Sequence, residues 1–239
     1  TGIFQIVNNE DPNKKGSRGA GFSINNPIIT LACCCEDTKP SSPKIYYNKK
    51  KIRGKASLEV ASSFKAFWAK KNLRINHYSQ LPIGGGFGTS GAGALGTAFA
   101  LNELFDANLS TDELGKIAHR AEVDCGTGLG DVIAQSRGGA EIRLQPGAPG
   151  IGKISAFHWP KEYRVLSIFL GTMSTETVIT SPVHSQQINN VSEKLLGKLL
   201  EQATLETFAS ISFAFAKSIN IMPKEVAKLV QVLRGKGYP

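Results

Sequence analysis

Residues 82–93, Pro-Ile-Gly-Gly-Gly-Phe-Gly-Thr-Ser-Gly-Ala-Gly, constrain this chain more than any other segment. Glycine fills four of the five positions 84–88, a Thr-Ser pair follows, and a helical pattern runs unbroken from Ala92 to Phe105. Glycines let backbone amides approach a ligand closely, and a helix start presents unpaired N–H groups with a partial positive charge. Together they make an anion site, usually for phosphate. Ser90, where loop meets helix, adds a hydroxyl suited to a phosphate-bound magnesium ion. The competing reading is a tight turn whose glycines serve packing alone.

Two familiar phosphate loops do not fit. A Walker A loop needs Lys-Ser or Lys-Thr directly after its last glycine, whereas Gly91 is followed by Ala92. Gly86-x-Gly88-x-x-Gly91 matches the bare dinucleotide pattern, which also requires a second strand after the helix. Here the helix gives way to Asn108-Leu109-Ser110-Thr111-Asp112-Glu113, in which Ser110 and Glu113 have capping-box spacing. A second helix follows, with Leu114, Ile117, Ala118 and Ala121 as its apolar stripe. Helix after helix excludes the dinucleotide fold.

The 239 residues allow one large or two modest domains, and 41% hydrophobic with 20% charged residues is a globular balance. No run reaches the length of a bilayer span, and no charged-then-apolar leader is present. The chain opens at Thr1 rather than Met and closes straight after a helical pattern, which suggests further residues at both ends. A net charge of +9 raises the question of nucleic acid. The lysines are scattered and not interleaved with aromatics, so specific nucleic-acid binding is not expected; a basic surface also suits anionic substrates. Cys33, Cys34 and Cys35 are consecutive, and their directions alternate on a strand, so they match neither a zinc site nor a disulfide framework. We expect them reduced and mostly buried in a cytosolic protein.

Strands are expected at 3–7, 22–35, 44–47 and 73–81, with a polar, glycine-rich loop over 11–21 and a helix from Leu58 to Lys71. After the two helices come Gly126 to Asp131, a short helix through Gln135, and a turn at Gly138-Gly139. Ala140 to Leu144 alternates as a strand with Glu141 and Arg143 on one face, and residues 145–152 fit a hairpin connection. Beyond Trp159-Pro160 a strand is expected over Val165 to Leu170, then helices over 184–219 and 223–233. The domain boundary falls near residue 160.

His119 and Glu122 lie i,i+3 on the second helix, away from its apolar stripe. Each has a plain alternative: a solvated helical face for this pair, an N-cap for Asp131, a pairing of Arg143 with Glu141. Clustered around two glycine loops, they supply what phosphoryl transfer to a small alcohol needs. Ser90 and Glu122 offer oxygens for Mg²⁺, Asp131 can accept the hydroxyl proton, and His119 and Arg143 can bind an anionic acceptor.

The segment Pro82-Ile83-Gly84-Gly85-Gly86-Phe87-Gly88-Thr89-Ser90-Gly91-Ala92 resembles the P-x-x-x-G-L-G-S-S-A-A phosphate motif of the GHMP kinases. Phe87, Thr89 and Gly91 replace the usual leucine, serine and alanine. Three further segments resemble the archaeal pantoate kinases within that superfamily: Lys15 to Gly21, Gly126 to Gln135, and Arg137-Gly138-Gly139. Thr1-Gly2-Ile3-Phe4 is similar to the tail of that family's N-terminal P-G-H-x-T/S-G-x-F segment. The resemblance implies an α+β GHMP kinase fold, with a ribosomal-S5-like domain over 1–160 and a ferredoxin-like domain, incomplete here, over 161–239. It implies transfer of the ATP γ-phosphate to the primary hydroxyl of pantoate, giving 4-phosphopantoate for coenzyme A synthesis. Gly84, Gly85, Gly86, Gly88, Thr89, Ser90 and Gly91 would cradle phosphate. Ser90 and Glu122 would bind Mg²⁺, Asp131 would be the acid/base, and Ser17, His119 and Arg143 would contact pantoate. A cytoplasmic enzyme is expected, with a homodimer among the possible assemblies. The family's third glycine-rich motif should begin about where this chain ends, at Gly237-Tyr238-Pro239, and the Pro-Gly-His portion should precede Thr1. The alternatives are another GHMP kinase, acting on shikimate, homoserine or a mevalonate-type alcohol, and a non-catalytic binding protein of the same fold.

Overall fold

The computed structural model describes residues 1–36, 41–172 and 182–238. Among them lie two four-stranded sheets, each with its own helical cover. The first has the order β1 (Ile3–Val7), β2 (Gly16–Phe22), β7 (Ala140–Gln145), β8 (Lys153–Ala156) and is antiparallel throughout. The second runs β3 (Ile29–Glu36), β6 (Lys71–Tyr78), β4 (Lys44–Tyr47), β5 (Lys50–Ile52), with β4 and β6 parallel.

Helices α1 (Lys55–Ser63), α3 (Thr89–Leu104) and α4 (Thr111–Asp124) pack on the second sheet around Val60, Phe64, Leu73, Ile75, Leu101 and Leu114. The single turn α2 (Lys65–Trp68) closes this core, the Trp68 indole donating to the Ala61 carbonyl at 2.8 Å. The expected helix 58–71 is therefore shorter and starts earlier, because Lys71 already pairs with Glu36 in the sheet. Helices α6 (Pro182–Glu201) and α7 (Leu205–Ser218) bury the first sheet, where Phe4 meets Phe215 edge-on and Phe157 meets Phe208, both at 5.3 Å between ring centres. Asn189 of α6 clamps the edge of β1: its amide oxygen accepts from the Ile6 N–H at 2.7 Å and its amide nitrogen donates to the Ile6 carbonyl at 2.9 Å. The pattern over 184–219 is two helices, broken where Thr204 accepts from the Thr207 N–H as a new N-cap. Helix α8 (Lys224–Gly235) ends the described chain and buries none of its residues.

Three expectations fail for stated reasons. Residues 16–22 are the strand β2, not a loop. Gly19 lies between Phe4 and Arg143 in register, and a side chain there would strike the Ile3 carbonyl and come within 2.8 Å of Arg143 Nη2. Val165 to Leu170 is not a strand; no neighbouring strand among the described residues satisfies its backbone, and its side chains are exposed. Cys33 and Cys35 are exposed, not buried, because β3 is an edge strand that turns Ala32 and Cys34 to the core and its odd-numbered neighbours outward. All four cysteines are free.

Candidate active site

Helix α3 is apolar on every side and carries three glycines, each of which costs about 1 kcal/mol of helix propensity. Close approach explains two of them, Gly91 and Gly96. At Gly91 a Cβ would lie 3.0 Å from Asp131 Cβ and 3.2 Å from Gln135 Oε1, and at Gly96 it would strike Thr30. Helix α5 (Asp131–Arg137) can therefore lie against the first turn of α3. Ahead of that turn, Gly86 and Gly88 hold φ of 79° and 65°, which puts this loop in the left-handed region that favours glycine. Gln135 fastens the loop, its amide donating to the Gly88 carbonyl at 2.9 Å.

Helix α4 starts at the expected capping box: the Ser110 N–H donates to Glu113 Oε2 at 2.8 Å, and the Glu113 N–H donates back to Ser110 Oγ. It does not present a solvated face at His119 and Glu122, which are 0% and 1% exposed. Both Ser90 and Thr127 donate hydroxyl hydrogen bonds to Glu122 Oε1, the latter at 2.8 Å. Glu122 Oε2 is buried with no partner among the described residues. Burial pushes the Glu122 pKa up to about 7, against the pull of the Ser90 and Thr127 hydroxyls. A buried carboxylate oxygen with nothing to bind, beside serine and threonine hydroxyls, fits a hard divalent cation. Asp131, the first residue of α5, lies between the two glycine segments. Its carboxyl would be 3.5 Å from a Cβ at Gly88 and 3.5 Å from one at Gly128.

On the first sheet, register pairs Gly19 with Arg143 and Gly21 with Glu141, so glycines stand opposite two fully buried charges. Arg143 Nη1 donates to Glu141 Oε1. The plain pairing of these two is real, yet it uses only one edge of the guanidinium. Nε and Nη2, which form the other edge, have no partner among the described residues. A Cβ at Gly130 would meet Ser17 Oγ and lie 2.7 Å from Arg143 Nε, so the glycine leaves a small polar cradle between them. His119 stands apart: its Nε2 donates to the Lys15 carbonyl at 2.8 Å, and among the described residues it has no hydrogen bond to Ser17 or Arg143. Burial lowers its pKa against the pull of the Lys15 and Pro12 carbonyls, which favours the neutral ring.

Two cavities are lined by parts of the phosphate loop. One, of about 320 Å³, is lined by Tyr47, Ile52, Arg53, Lys55 and Ile83, with Ser90 and Thr127 at one end. The N-termini of α1 and α3 both open on it, and neither helix has a side-chain cap. The other, of about 570 Å³, lies on the far side of the loop and is lined by Gly86, Gly88, Asp131, Gln135, Glu141 and Phe208, among others. The first cavity also reaches His77, which is 3% exposed and held between Ser57 Oγ at 3.0 Å and Thr30 Oγ1 at 2.8 Å. Burial lowers its pKa from 6.5 to about 4. Its contribution to stability is whole above pH 6.5 and is lost as the pH falls towards 4, because only the unfolded chain takes up the proton in that window. We expect the stability gap between wild type and His77→Gln, measured by urea unfolding, to narrow by about 3 kcal/mol between pH 7 and pH 4.

The chain is 34% identical to the pantoate kinase of Methanocaldococcus jannaschii, over 98% of this chain and 83% of that protein. The chain belongs to the pantoate kinase family of GHMP kinases. The pantoate kinase of Thermococcus kodakarensis is 31% identical over 98% of this chain and 77% of its own length. The family model for the GHMP kinases N terminal domain matches residues 54–139, which hold the phosphate loop, Glu122 and Asp131. A solved structure described as a phosphotransferase related to the CoA biosynthesis pathway superposes with a TM-score of 0.85 at 30% identity, covering 98% of this chain and 78% of its own. The fold is thus the GHMP kinase fold. Within this pantoate kinase family member, sequence reasoning passed over Thr127, Gln135, and Glu141 as more than a partner for Arg143. Thr127 and Gln135 stood in a segment already singled out, but only the folded chain shows what their side chains bind.

Proposed function

We propose that this kinase transfers the γ-phosphate of ATP to the primary hydroxyl of pantoate, forming 4-phosphopantoate and ADP in the cytoplasm for coenzyme A synthesis. One observation carries the substrate: Arg143 holds its Nε and Nη2 buried and, among the described residues, unpartnered, an edge that matches a carboxylate through two parallel hydrogen bonds. Ser17 Oγ lies beside that edge, and neutral His119 supplies a hydrogen-bonding lone pair rather than a charge.

ATP would lie in the cavity bounded by Tyr47, Ile52 and Ile83, with its phosphates toward Gly84, Gly85, Gly86, Gly88, Thr89, Ser90 and Gly91. Ser90 and Glu122 would hold Mg²⁺, which when bound neutralises phosphate charge and favours attack at the γ-phosphorus. Asp131 faces the other cavity, where the acceptor would enter. Its carboxylate takes the proton of the pantoate hydroxyl as that oxygen bonds to the γ-phosphorus and the bond to the ADP oxygen breaks. The shared position of Asp131 between both glycine segments supports this role. The reading divides the chain near residue 160 and takes a homodimer as the assembly to test.

A substrate panel tests the reading. With ATP and Mg²⁺, kcat/KM for pantoate should exceed that for shikimate, homoserine and mevalonate by about 10³-fold or more, since none presents the same carboxylate and hydroxyl spacing. Preference for another alcohol would replace pantoate as the substrate.

A further inference from the structure

Glu141 and Arg143 are both 0% exposed and joined through a single nitrogen and a single oxygen. A carboxylate kept only to balance an arginine is best used side-on, with both oxygens engaged. Here Glu141 Oε2 is left without a partner among the described residues, as are Arg143 Nε and Nη2. Leaving three such atoms buried and unsatisfied is unfavourable unless something else completes them. Glu141 lines the same cavity as Asp131, and Gly21 lets β2 pass close to it: a Cβ there would lie 2.9 Å from Glu141 Oε1, the oxygen that Arg143 already holds.

A molecule with a carboxylate and a hydroxyl on the adjacent carbon satisfies both halves at once. Its carboxylate accepts from the free edge of Arg143, and its hydroxyl donates to the free oxygen of Glu141. The geometry points to Glu141 as the specificity-determining residue that reads the 2-hydroxyl of the acceptor and rejects acids that lack a donor there. This rests on the pantoate reading above and adds a second recognition element to it. His119 Nδ1 is the competing acceptor, but among the described residues it is Glu141, and not His119, that is bonded to Arg143.

The test compares pantoate with its 2-oxo analogue, in which the donor hydroxyl becomes an acceptor carbonyl, using the full-length enzyme at pH 8. Wild type should favour pantoate in kcat/KM by about 100-fold, the range for a hydrogen bond to a charged group. In Glu141→Gln the amide oxygen keeps the bond from Arg143 and the amide N–H₂ faces the substrate, so acceptor becomes donor. The variant should turn over both acids with a ratio within about fivefold of one, as expected once the charge-assisted bond is gone. A wild type that accepts both acids equally overturns the proposal without any variant. An active Glu141→Gln that keeps the wild-type ratio also overturns it and moves the role to His119. If wild type phosphorylates neither acid, the pantoate reading itself fails.

Discussion

Asp131→Asn is expected to lower kcat with pantoate by about 10³-fold or more, as loss of a general base does, while nucleotide affinity stays within about twofold. The two effects separate because Asp131 lines the acceptor cavity and not the one proposed for ATP. The change is nearly isosteric, and among the described residues the side chain's one hydrogen bond is a long contact from Thr1 Oγ1 at 3.4 Å, so the fold should be untouched. Steady-state kinetics with a nucleotide titration on the same sample give both numbers. A variant with more than a tenth of wild-type kcat would remove Asp131 from the proton transfer, since general-base losses start at about 10²-fold.

Glu122→Gln should be as severe for catalysis and opposite in sign for stability. Activity should fall by about 10²–10³-fold, the range for removing a group that stabilises developing charge. Without metal, the same variant should be more stable than wild type at pH 8, by about 3 kcal/mol. Below its ordinary value of 4.5 the Glu122 carboxyl is neutral in both folded and unfolded chains, and the difference vanishes. Above about 7 the folded wild type must hold a buried ion that the unfolded chain leaves in water. Addition of Mg²⁺ with nucleotide should then raise the wild-type Tm and leave that of the variant nearly fixed. Thermal melts at pH 4.5 and pH 8, with and without Mg²⁺, check every part. A wild type more stable than Glu122→Gln at pH 8 without metal would mean that the carboxylate is a structural anchor.

The capping box at Ser110 and the run of glycines before Ser90 were legible in sequence because both are local devices whose spacing carries their geometry. So was the membership of Glu122 and Asp131 in one site, since each flanks a glycine segment a few residues away. The strand β2 was not. Its three glycines and the charge of Arg18 suppress every strand signal, and one of the strands it pairs with, β7, lies more than a hundred residues away in the chain. The burial of His119 and Glu122 was equally hidden, because a polar pair on a helix reads as a wet surface until loops 11–16 and 126–130 are seen folded over it. Val165 to Leu170 shows the converse. An apolar run has strand chemistry, yet a strand exists only where a neighbour takes its backbone hydrogen bonds. The role of Glu141 was visible only as a possible ion pair, since which oxygen goes unused is decided by packing alone.

The central claim is phosphoryl transfer to one particular oxygen, and the product reports on it directly. Enzyme, ATP, Mg²⁺ and pantoate should yield ADP and a phosphate monoester in equal amounts, with the phosphorus coupled in ³¹P NMR to the two protons of the C4 methylene. ATP broken down to inorganic phosphate without that ester, or an ester on the 2-hydroxyl, would contradict the account.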